Sequence, residues 1–244
     1  MKVLLIGDSC EDRYFYGDVK RLNPEAPVPI LEYKRGVTSK GMVWNVRENL
    51  RSFGVEVYTS THPEEIIKTR YIDEKSNQQI MRYDVEPKIE PLSFDFPPEW
   101  NNLYDALVIS DYNKGFLTTE KIFELTSRFV GPVFIDSKKT NLPADAYIKF
   151  NELEYERMAY CNYENLIITR GGKGAEYKGD LYPAEKVNVF DVVGAGDTFL
   201  AALTYGYLKY GRIDKAIPLA NKAAAVAVSH RGTYVLTEED VKQL

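Results

Sequence analysis

The sequence predicts an α/β fold with a mostly parallel sheet, helices on both faces of that sheet, and a small additional β sheet. The chain has 244 residues, 44% hydrophobic and 27% charged, which suits one large α/β domain with a sizeable core. Strand and helix patterns alternate through its second half, as is typical of parallel strands covered by helices. Two segments, about 13–33 and 66–84, interrupt this rhythm. We expect them to form a small β lid inserted in a single domain that spans residues 1–244.

In the first half of the chain, an apolar run closed by Gly7 and Asp8 predicts a buried parallel strand. The prolines around the next apolar run, 28–31, favour an edge strand, because proline has no N–H group to donate. The other elements expected there are a helix at 45–50, a strand at 55–60, and a strand pair at 66–72 and 78–83.

The second half is predicted to end with a hairpin at 174–182 and two long alanine-rich helices at 197–210 and 213–229. The elements expected before them are strands at 106–110, 133–135, 148–150 and 166–169, and helices at 118–129 and 152–160.

Composition and charge argue against several classes of partner. The formal net charge of −5 argues against nucleic acid, because phosphate backbones require a basic face. No apolar run is long enough to span a bilayer, and the first residues become charged too early for a signal peptide. The only cysteines, Cys10 and Cys161, are expected to be free thiols. We therefore expect a cytoplasmic protein with no membrane partner.

The most informative segment is the glycine turn at 191–197, which contains Gly194, Ala195, Gly196 and Asp197 and leads into an apolar helix pattern. Backbone N–H groups at a helix start bind anions, because they have no intrahelical acceptors. A carboxylate in the same turn would not help to bind phosphate, but it could act as a base on a nearby hydroxyl. The turn therefore indicates phosphoryl transfer to an alcohol. The alternative is an ordinary loop–helix junction with a favourable acidic residue in its first turn.

This turn resembles the C-terminal motif of the ribokinase-like (phosphofructokinase B) carbohydrate kinases, and other motifs of that family follow in order along the whole chain. The chain is most similar to the heptose-7-phosphate kinases of ADP-heptose synthesis, and its more specific segments are Asn23–Pro29 and Asn77–Gln79. The remaining matching positions are Gly7-Asp8, Asp12–Tyr14, Tyr16-Gly17, Arg82, Asp84, Ser110–Tyr112, Lys114-Gly115, Ile135-Asp136, Lys138, Asn151, Glu154, Thr169, Gly171 and Gly174. The resemblance implies a ribokinase-like doubly wound sheet with a β lid. It also implies transfer of the γ-phosphoryl group of ATP to a sugar, at O1 of a heptose 7-phosphate.

The resemblance assigns the chemistry to the glycine turn. Asp197 would be the general base, and the N–H groups of Gly194, Ala195 and Gly196 would cradle the transferred phosphoryl group. Asn151 and Glu154 would contact the ATP phosphates, with Glu154 holding Mg²⁺ through water. These two residues also fit an N-cap with its returning acidic partner, and both interpretations can hold together.

Further nucleotide contacts are implied at Thr169, Gly171, Gly174 and Asn221. The first three also fit a glycine-rich hairpin connection, and the place of Asn221 beside adenine depends on the resemblance alone. Arg170 or Lys173 could add positive charge to the phosphates.

Acceptor contacts are implied at polar residues in the N-terminal half. Asp8, Asp12 and Asn45 suit sugar hydroxyls, although Asp8 also fits a turn and Asn45 a helix N-cap. The other candidates are Asp111 and Lys114 at a strand end, and Arg13 and Arg82 for a phosphate on the sugar. Pairing of Arg82 with Asp84 is an equal alternative for that arginine.

The chain departs from the heptose kinase pattern at Gly41–Asn45, where Met42, Val43 and Trp44 replace one glycine and two alanines. Ser137 also replaces a proline, and the segment after Thr61 is short. These departures leave two alternatives open, a kinase of a different sugar or sugar phosphate and a catalytically weak sugar- or nucleotide-binding protein. Lid segments of this family often pair between subunits, so a homodimer is expected.

Overall fold

A computed structural model of the chain describes residues 1–158 and 163–244. The strands of these residues are β1 (Lys2–Gly7), β2 (Ser9–Leu22), β3 (Pro29–Met42), β4 (Glu56–Ser60), β5 (Ile67–Asp73), β6 (Gln78–Val85), β7 (Ala106–Asp111), β8 (Val133–Ser137), β9 (Tyr147–Asn151), β10 (Leu166–Thr169), β11 (Ala175–Tyr177) and β12 (Asp180–Tyr182). The α-helices are α1 (Val43–Ser52), α2 (Thr119–Arg128), α3 (Glu152–Glu156), α4 (Ala195–Tyr210), α5 (Ile213–Val228) and α6 (Glu238–Gln243). None of the helices in the described part of the chain is long and apolar enough to cross a membrane.

The chain divides into two compact units. The large unit comprises Met1–Asp8, Met42–His62 and Ile89–Leu244, and the small unit comprises Ser9–Gly41 and Pro63–Lys88. The small unit contains the two segments predicted as a lid and extends beyond both of them.

The large unit is built on an eight-stranded sheet in the order β12-β11-β10-β9-β8-β7-β1-β4. The pairs from β4 to β10 are parallel, and only β11 and β12 join as antiparallel strands. The chain leaves β1 toward β4 on one side and leaves β7 toward β8 on the other. The strand order therefore reverses between β1 and β7, and ligands of open α/β sheets bind beside the carboxyl ends of such strands. The predicted mostly parallel α/β sheet is confirmed.

The core of the large unit places α4 at its centre. Most of the first three turns of α4 are buried, because their side chains are almost all apolar or small. Helix α5 packs closely on α4 at Gly206, where an added Cβ would lie 2.9 Å from the Cα of Ala216. This packing holds the C-terminal half of α4, the helix whose first turn carries the predicted base.

The small unit is a four-stranded sheet in the order β3-β2-β5-β6. Strands β2 and β5 are parallel, and β5 and β6 form the predicted antiparallel pair. The ring of Phe15 lies 5.9 Å from that of Tyr33 and 5.5 Å from that of Tyr71, so aromatic side chains cross one face of this sheet.

Several element boundaries differ from the prediction. The strand expected at 28–31 continues to Met42, whose backbone has φ 57° and ψ −126°. The helix expected at 152–160 ends at Glu156, and residues 159–162 at its predicted end lie outside the described residues. Helix α6 was not predicted. Cys10 is a buried thiol, as expected, whose Sγ donates to Asp12 Oδ2 at 3.7 Å, and Cys161 lies outside the described residues.

Candidate active site

The candidate base, Asp197, is buried in the first turn of α4 with 3% of its surface exposed. Its Oδ1 accepts a hydrogen bond from the Tyr112 hydroxyl at 2.8 Å, and its Oδ2 accepts one from Asn45 Nδ2 at 3.1 Å. Burial raises the pKa of Asp197 to about 6, against the opposing effect of these two donors. A carboxylate with such a pKa is ionised at neutral pH and remains basic enough to accept a proton.

The glycine turn brings the backbone against Asn45. Gly194 is the N-cap of α4 in the left-handed conformation, with φ 79°, and its carbonyl accepts a hydrogen bond from Asn45 Nδ2 at 3.2 Å. A Cβ on Gly194 would lie 2.6 Å from that nitrogen, so the position requires glycine. The N–H of Ala195 donates to Val192 O at 3.3 Å. One of the three donors predicted for the phosphoryl group is therefore already engaged within the turn.

Lys149, which no sequence motif singled out, lies directly behind this turn. Its ammonium group is buried and pairs with Asp136, and a Cβ on Gly196 would lie 3.0 Å from Lys149 Nζ. Burial alone would lower the pKa of Lys149, but the carboxylates of Asp136, Glu154 and Asp197 outweigh it and raise the pKa. The available signal was a lysine inside the apolar strand β9, where a charge requires a partner.

Asn151 and Glu154 form the predicted capping box at the start of α3. Asn151 Oδ1 accepts from the Glu154 N–H at 2.8 Å, and Glu154 Oε2 accepts from the Asn151 N–H at 2.9 Å. Glu154 also pairs with Lys138. Burial raises the pKa of Glu154, but the Asn151 N–H and Lys138 outweigh it and lower the pKa.

Among residues 1–158 and 163–244, no group of three or more His, Cys, Asp or Glu side chains is arranged to hold a metal ion. A single carboxylate such as that of Glu154 still fits Mg²⁺, which prefers oxygen ligands and keeps several of its waters. The metal role of Glu154 therefore remains compatible with the site and remains a prediction.

The loop after β10 forms the predicted hairpin connection. Gly171 and Gly174 have φ of 53° and 105°, and a Cβ on Gly174 would lie 2.0 Å from Tyr182 O. Thr169 Oγ1 donates to Phe150 O, and Asn221 Nδ2 donates to Tyr182 O at 2.8 Å. Asn221, the residue expected beside adenine, therefore anchors the end of this hairpin through its amide nitrogen.

The two basic residues of this loop differ in their partners. Arg170 is bonded to Glu152 and Glu176, so its charge is compensated within the fold. Lys173 is exposed and lies 3.9 Å from Glu152. Of the two, Lys173 is the better candidate for an added nucleotide contact.

On the acceptor side, Asp8 follows β1 and is 1% exposed. Its Oδ2 accepts hydrogen bonds from the N–H groups of Tyr112 at 2.8 Å and Lys114 at 3.2 Å, so the structure gives Lys114 a backbone role. Its Oδ1 is buried with no hydrogen-bond partner among the described residues. Burial raises the pKa of Asp8, against the two N–H donors. A buried unsatisfied oxygen is costly in the free protein and suits a hydroxyl donor of a ligand.

The substrate role of Asp111 stays a prediction, and its carboxylate is bonded within the fold. Its Oδ1 accepts from the Asn113 N–H at 2.9 Å, and its Oδ2 accepts from Ser137 Oγ and from Lys139 Nζ at 2.7 Å. The carboxylate is thus committed to holding the turn after β7. Ser137, at the position of a proline in the resembled family, supplies one of these bonds.

The remaining predicted acceptor residues lie in the small unit and are bonded within it. Arg82 makes a two-pronged pair with Asp84, at 2.8 and 2.7 Å, which is the alternative predicted for it. The other side-chain pairs are Arg13 with Glu11 and Asp12 with Arg70. Arg70 was missed, although the β5–β6 register places it directly opposite Arg82.

Solved structures with the same architecture define the class of fold. Phosphofructokinase-2 from Escherichia coli superposes with a TM-score of 0.72 at 16% identity, over 99% of this chain and 96% of that one. Ribokinase from Thermotoga maritima superposes with a TM-score of 0.69 at 17% identity, over 99% and 98%. At these identities the likeness shows the fold, which is ribokinase-like.

Sequence comparison gives the family. The model of the pfkB family of carbohydrate kinases matches residues 146–240. The bifunctional protein HldE of Helicobacter acinonychis is 30% identical over 303 residues, a match that covers 98% of this chain. The chain belongs to the pfkB family of carbohydrate kinases. It spans 65% of the length of that HldE protein.

Proposed function

We propose that this protein transfers the γ-phosphoryl group of ATP to a sugar hydroxyl, with O1 of a heptose 7-phosphate as the preferred acceptor. The observation that carries the proposal is the environment of Asp197. This carboxylate is buried at the start of a helix that begins in a glycine turn, and a neutral donor holds each of its oxygens.

In this proposal, Asp197 takes the proton of the acceptor hydroxyl while that oxygen attacks the γ-phosphorus. Such a base contributes on the order of 10²–10⁴-fold to the rate. Its pKa of about 6 leaves it ionised at neutral pH, where it can receive the proton.

Negative charge on the transferred group is met by fixed positive groups of the large unit. The N–H groups of Gly194, the N-cap of α4, and of Gly196 in its first turn would bind the phosphoryl oxygens, and the Lys149 ammonium lies close to Gly196. Mg²⁺, bound with ATP, supplies further compensation of phosphate charge. Asn151 and Glu154 would hold it, Glu154 through water.

The carboxylate of Asp8 supports the proposal that the acceptor is a sugar, because its buried Oδ1 suits a sugar hydroxyl. Asn45 orients Asp197 and contributes to the same side. The heptose 7-phosphate assignment is supported by the similarity to HldE and by the Asn23–Pro29 and Asn77–Gln79 segments. Acceptor roles for Asp12, Arg13 and Arg82 stay predictions, since these side chains are bonded within the small unit.

One observation favours a second candidate, a kinase of a different sugar or sugar phosphate. Met42 replaces a glycine of the resembled heptose kinases, and it adopts φ 57° and ψ −126°, a conformation that glycine tolerates far better. Backbone strain of this kind costs about 1–3 kcal/mol and concentrates at functional sites. A large side chain retained at such a position is consistent with a changed acceptor.

We extend the proposal to a homodimer that forms through the small unit. Tyr33, Met81 and Tyr83 are 65%, 51% and 57% exposed on its sheet, and an exposed apolar face of this kind suits an interface. Tyr33→Lys combined with Tyr83→Lys should shift the sedimentation coefficient from dimer to monomer. Tyr210→Lys, a change of an exposed tyrosine in the large unit, should leave it unchanged. A wild-type monomer at all concentrations would rule out the dimer.

The function is tested by ATP-dependent phosphate transfer to a panel of sugars and sugar phosphates that includes heptose 7-phosphate. Asp197→Asn should lower kcat by at least about 10²-fold while nucleotide binding is kept. Asp214→Asn, in the first turn of the neighbouring helix α5, is the matched control and should keep full activity. Full activity of Asp197→Asn would remove this residue from the mechanism. Absence of turnover with every acceptor would favour the binding-protein alternative.

A further inference from the structure

Tyr112 is held in place through its backbone and its ring. Its N–H donates to Asp8 Oδ2 at 2.8 Å, and the next residue, Asn113, adopts a left-handed φ of 57° that Asp111 Oδ1 stabilises at 2.9 Å. On the ring side, Lys138 Nζ lies 5.5 Å from the ring centroid, within the range of a cation–π contact. These contacts direct the Tyr112 hydroxyl to one point in the large unit.

That point is the carboxylate of Asp197. The Tyr112 hydroxyl lies 2.8 Å from Oδ1, and Asn45 Nδ2 lies 3.1 Å from Oδ2. Because the two donors hold different oxygens, together they fix the plane of the carboxylate. Asp197 is buried, so water cannot readily replace either donor.

We infer that Tyr112 is a positioning residue for the phosphoryl transfer proposed above, on which this inference rests. Its hydroxyl holds the carboxylate of Asp197 in the orientation that receives the proton of the acceptor. In the step, a bond forms between the acceptor oxygen and the γ-phosphorus, and the bond from that phosphorus to the β-phosphate oxygen of ATP breaks to give ADP. The acceptor proton moves to Asp197, and Tyr112 keeps its own proton throughout.

The groups that face Asp197 determine how loss of the hydroxyl shows in the pH profile. Burial and the charge of Asp136 raise the pKa of Asp197, whereas Tyr112, Asn45 and Lys149 lower it. Removing the Tyr112 hydroxyl therefore raises the pKa of the base. Activity requires the ionised base, so the acidic limb of kcat/KM should move to higher pH.

The test is Tyr112→Phe, which removes one oxygen and keeps the ring. With the best acceptor of the panel, we expect kcat at neutral pH to fall about tenfold, the equivalent of one hydrogen bond to a charged group. The KM for ATP should be unchanged, and the gap to wild type should narrow as pH rises. Tyr58→Phe is the matched control, because Tyr58 also bonds a carboxylate, that of the exposed Glu56. Its pH profile should match that of wild type.

Two failures can be told apart. An active wild type, an inactive Asp197→Asn and an unmoved acidic limb in Tyr112→Phe would overturn this inference and leave the proposed function standing. A wild type without transfer to any acceptor would overturn the proposed function, and the inference with it. A thermal melting curve of Tyr112→Phe close to that of wild type shows that the fold is retained.

Discussion

The ammonium group of Lys149 lies so close to Gly196 that a single added methyl group would contact it, at 3.0 Å from Nζ. The lysine comes from the middle of β9 and the glycine from the first turn of α4. The two together place a buried positive charge directly behind the backbone that is proposed to receive the phosphoryl group.

Gly196→Ala tests this proximity. The new methyl group must displace the Lys149 ammonium, which is buried and paired with Asp136. We expect kcat to fall by about tenfold or more, because small displacements of charged groups at a reacting centre are costly. Gly172→Ala is the control, since an added Cβ there meets nothing within 4 Å. Equal steady-state activity of the two variants would contradict the proposed contact.

Lys149→Met should destabilise the protein, because it leaves the carboxylate of Asp136 buried without its partner. Loss of one member of a buried ion pair typically costs about 3–5 kcal/mol. The double variant Lys149→Met with Asp136→Leu removes both charges and should recover most of the free energy of unfolding, measured in urea. It should not recover activity. Recovery of both would assign the pair to stability alone.

Gly194 and Gly211 cap the two ends of α4, and both have left-handed φ, 79° and 65°. Alanine at Gly211 should cost about 1–2 kcal/mol for the backbone conformation alone, because an added Cβ there meets nothing within 4 Å. Alanine at Gly194 carries the same cost and also contacts Asn45 Nδ2 at 2.6 Å. We therefore expect both variants to lose free energy of unfolding, and only Gly194→Ala to lose turnover as well. Equal activity losses would remove Asn45 from the explanation.

Asp197 should also make the fold less stable as pH rises. Its pKa is about 6 in the folded chain and 3.8 as the ordinary value, so the folded state binds the proton more tightly. Stability is therefore lost as pH rises from 3.8 through about 6, by about 3 kcal/mol. Asp197→Asn should unfold at a higher denaturant concentration than wild type above this range, and at a similar one below it. A variant less stable than wild type at neutral pH would contradict the pKa.

The sequence predicted the parallel sheet, the strand pair of the small unit and the two long helices closely. These elements could be predicted because each depends on a local pattern of residues. The glycine turn and Asp197 could be identified for the same reason, since they lie in one short stretch of sequence. Tyr112 and Lys149 were missed because their roles depend on contacts between residues far apart in the chain. The pair Asp8 and Asp111 shows the limit most clearly. Asp8 follows a buried strand and Asp111 ends one. Only the fold shows that Asp8 keeps a buried oxygen without a partner among the described residues, whereas both oxygens of Asp111 accept hydrogen bonds from nearby protein groups.

The arrangement at Asp8 also has a consequence for which acceptors are rejected. One oxygen of this carboxylate shapes the turn that carries Tyr112, and the other is proposed to meet an acceptor hydroxyl. A deoxy analogue that lacks this hydroxyl would leave the buried Oδ1 of Asp8 without a hydrogen bond. Sites built to bond a hydroxyl reject such analogues by about 10⁴-fold or more. We therefore expect Asp8 to reject an acceptor that lacks this hydroxyl more strongly than an acceptor that has one methylene group more or fewer.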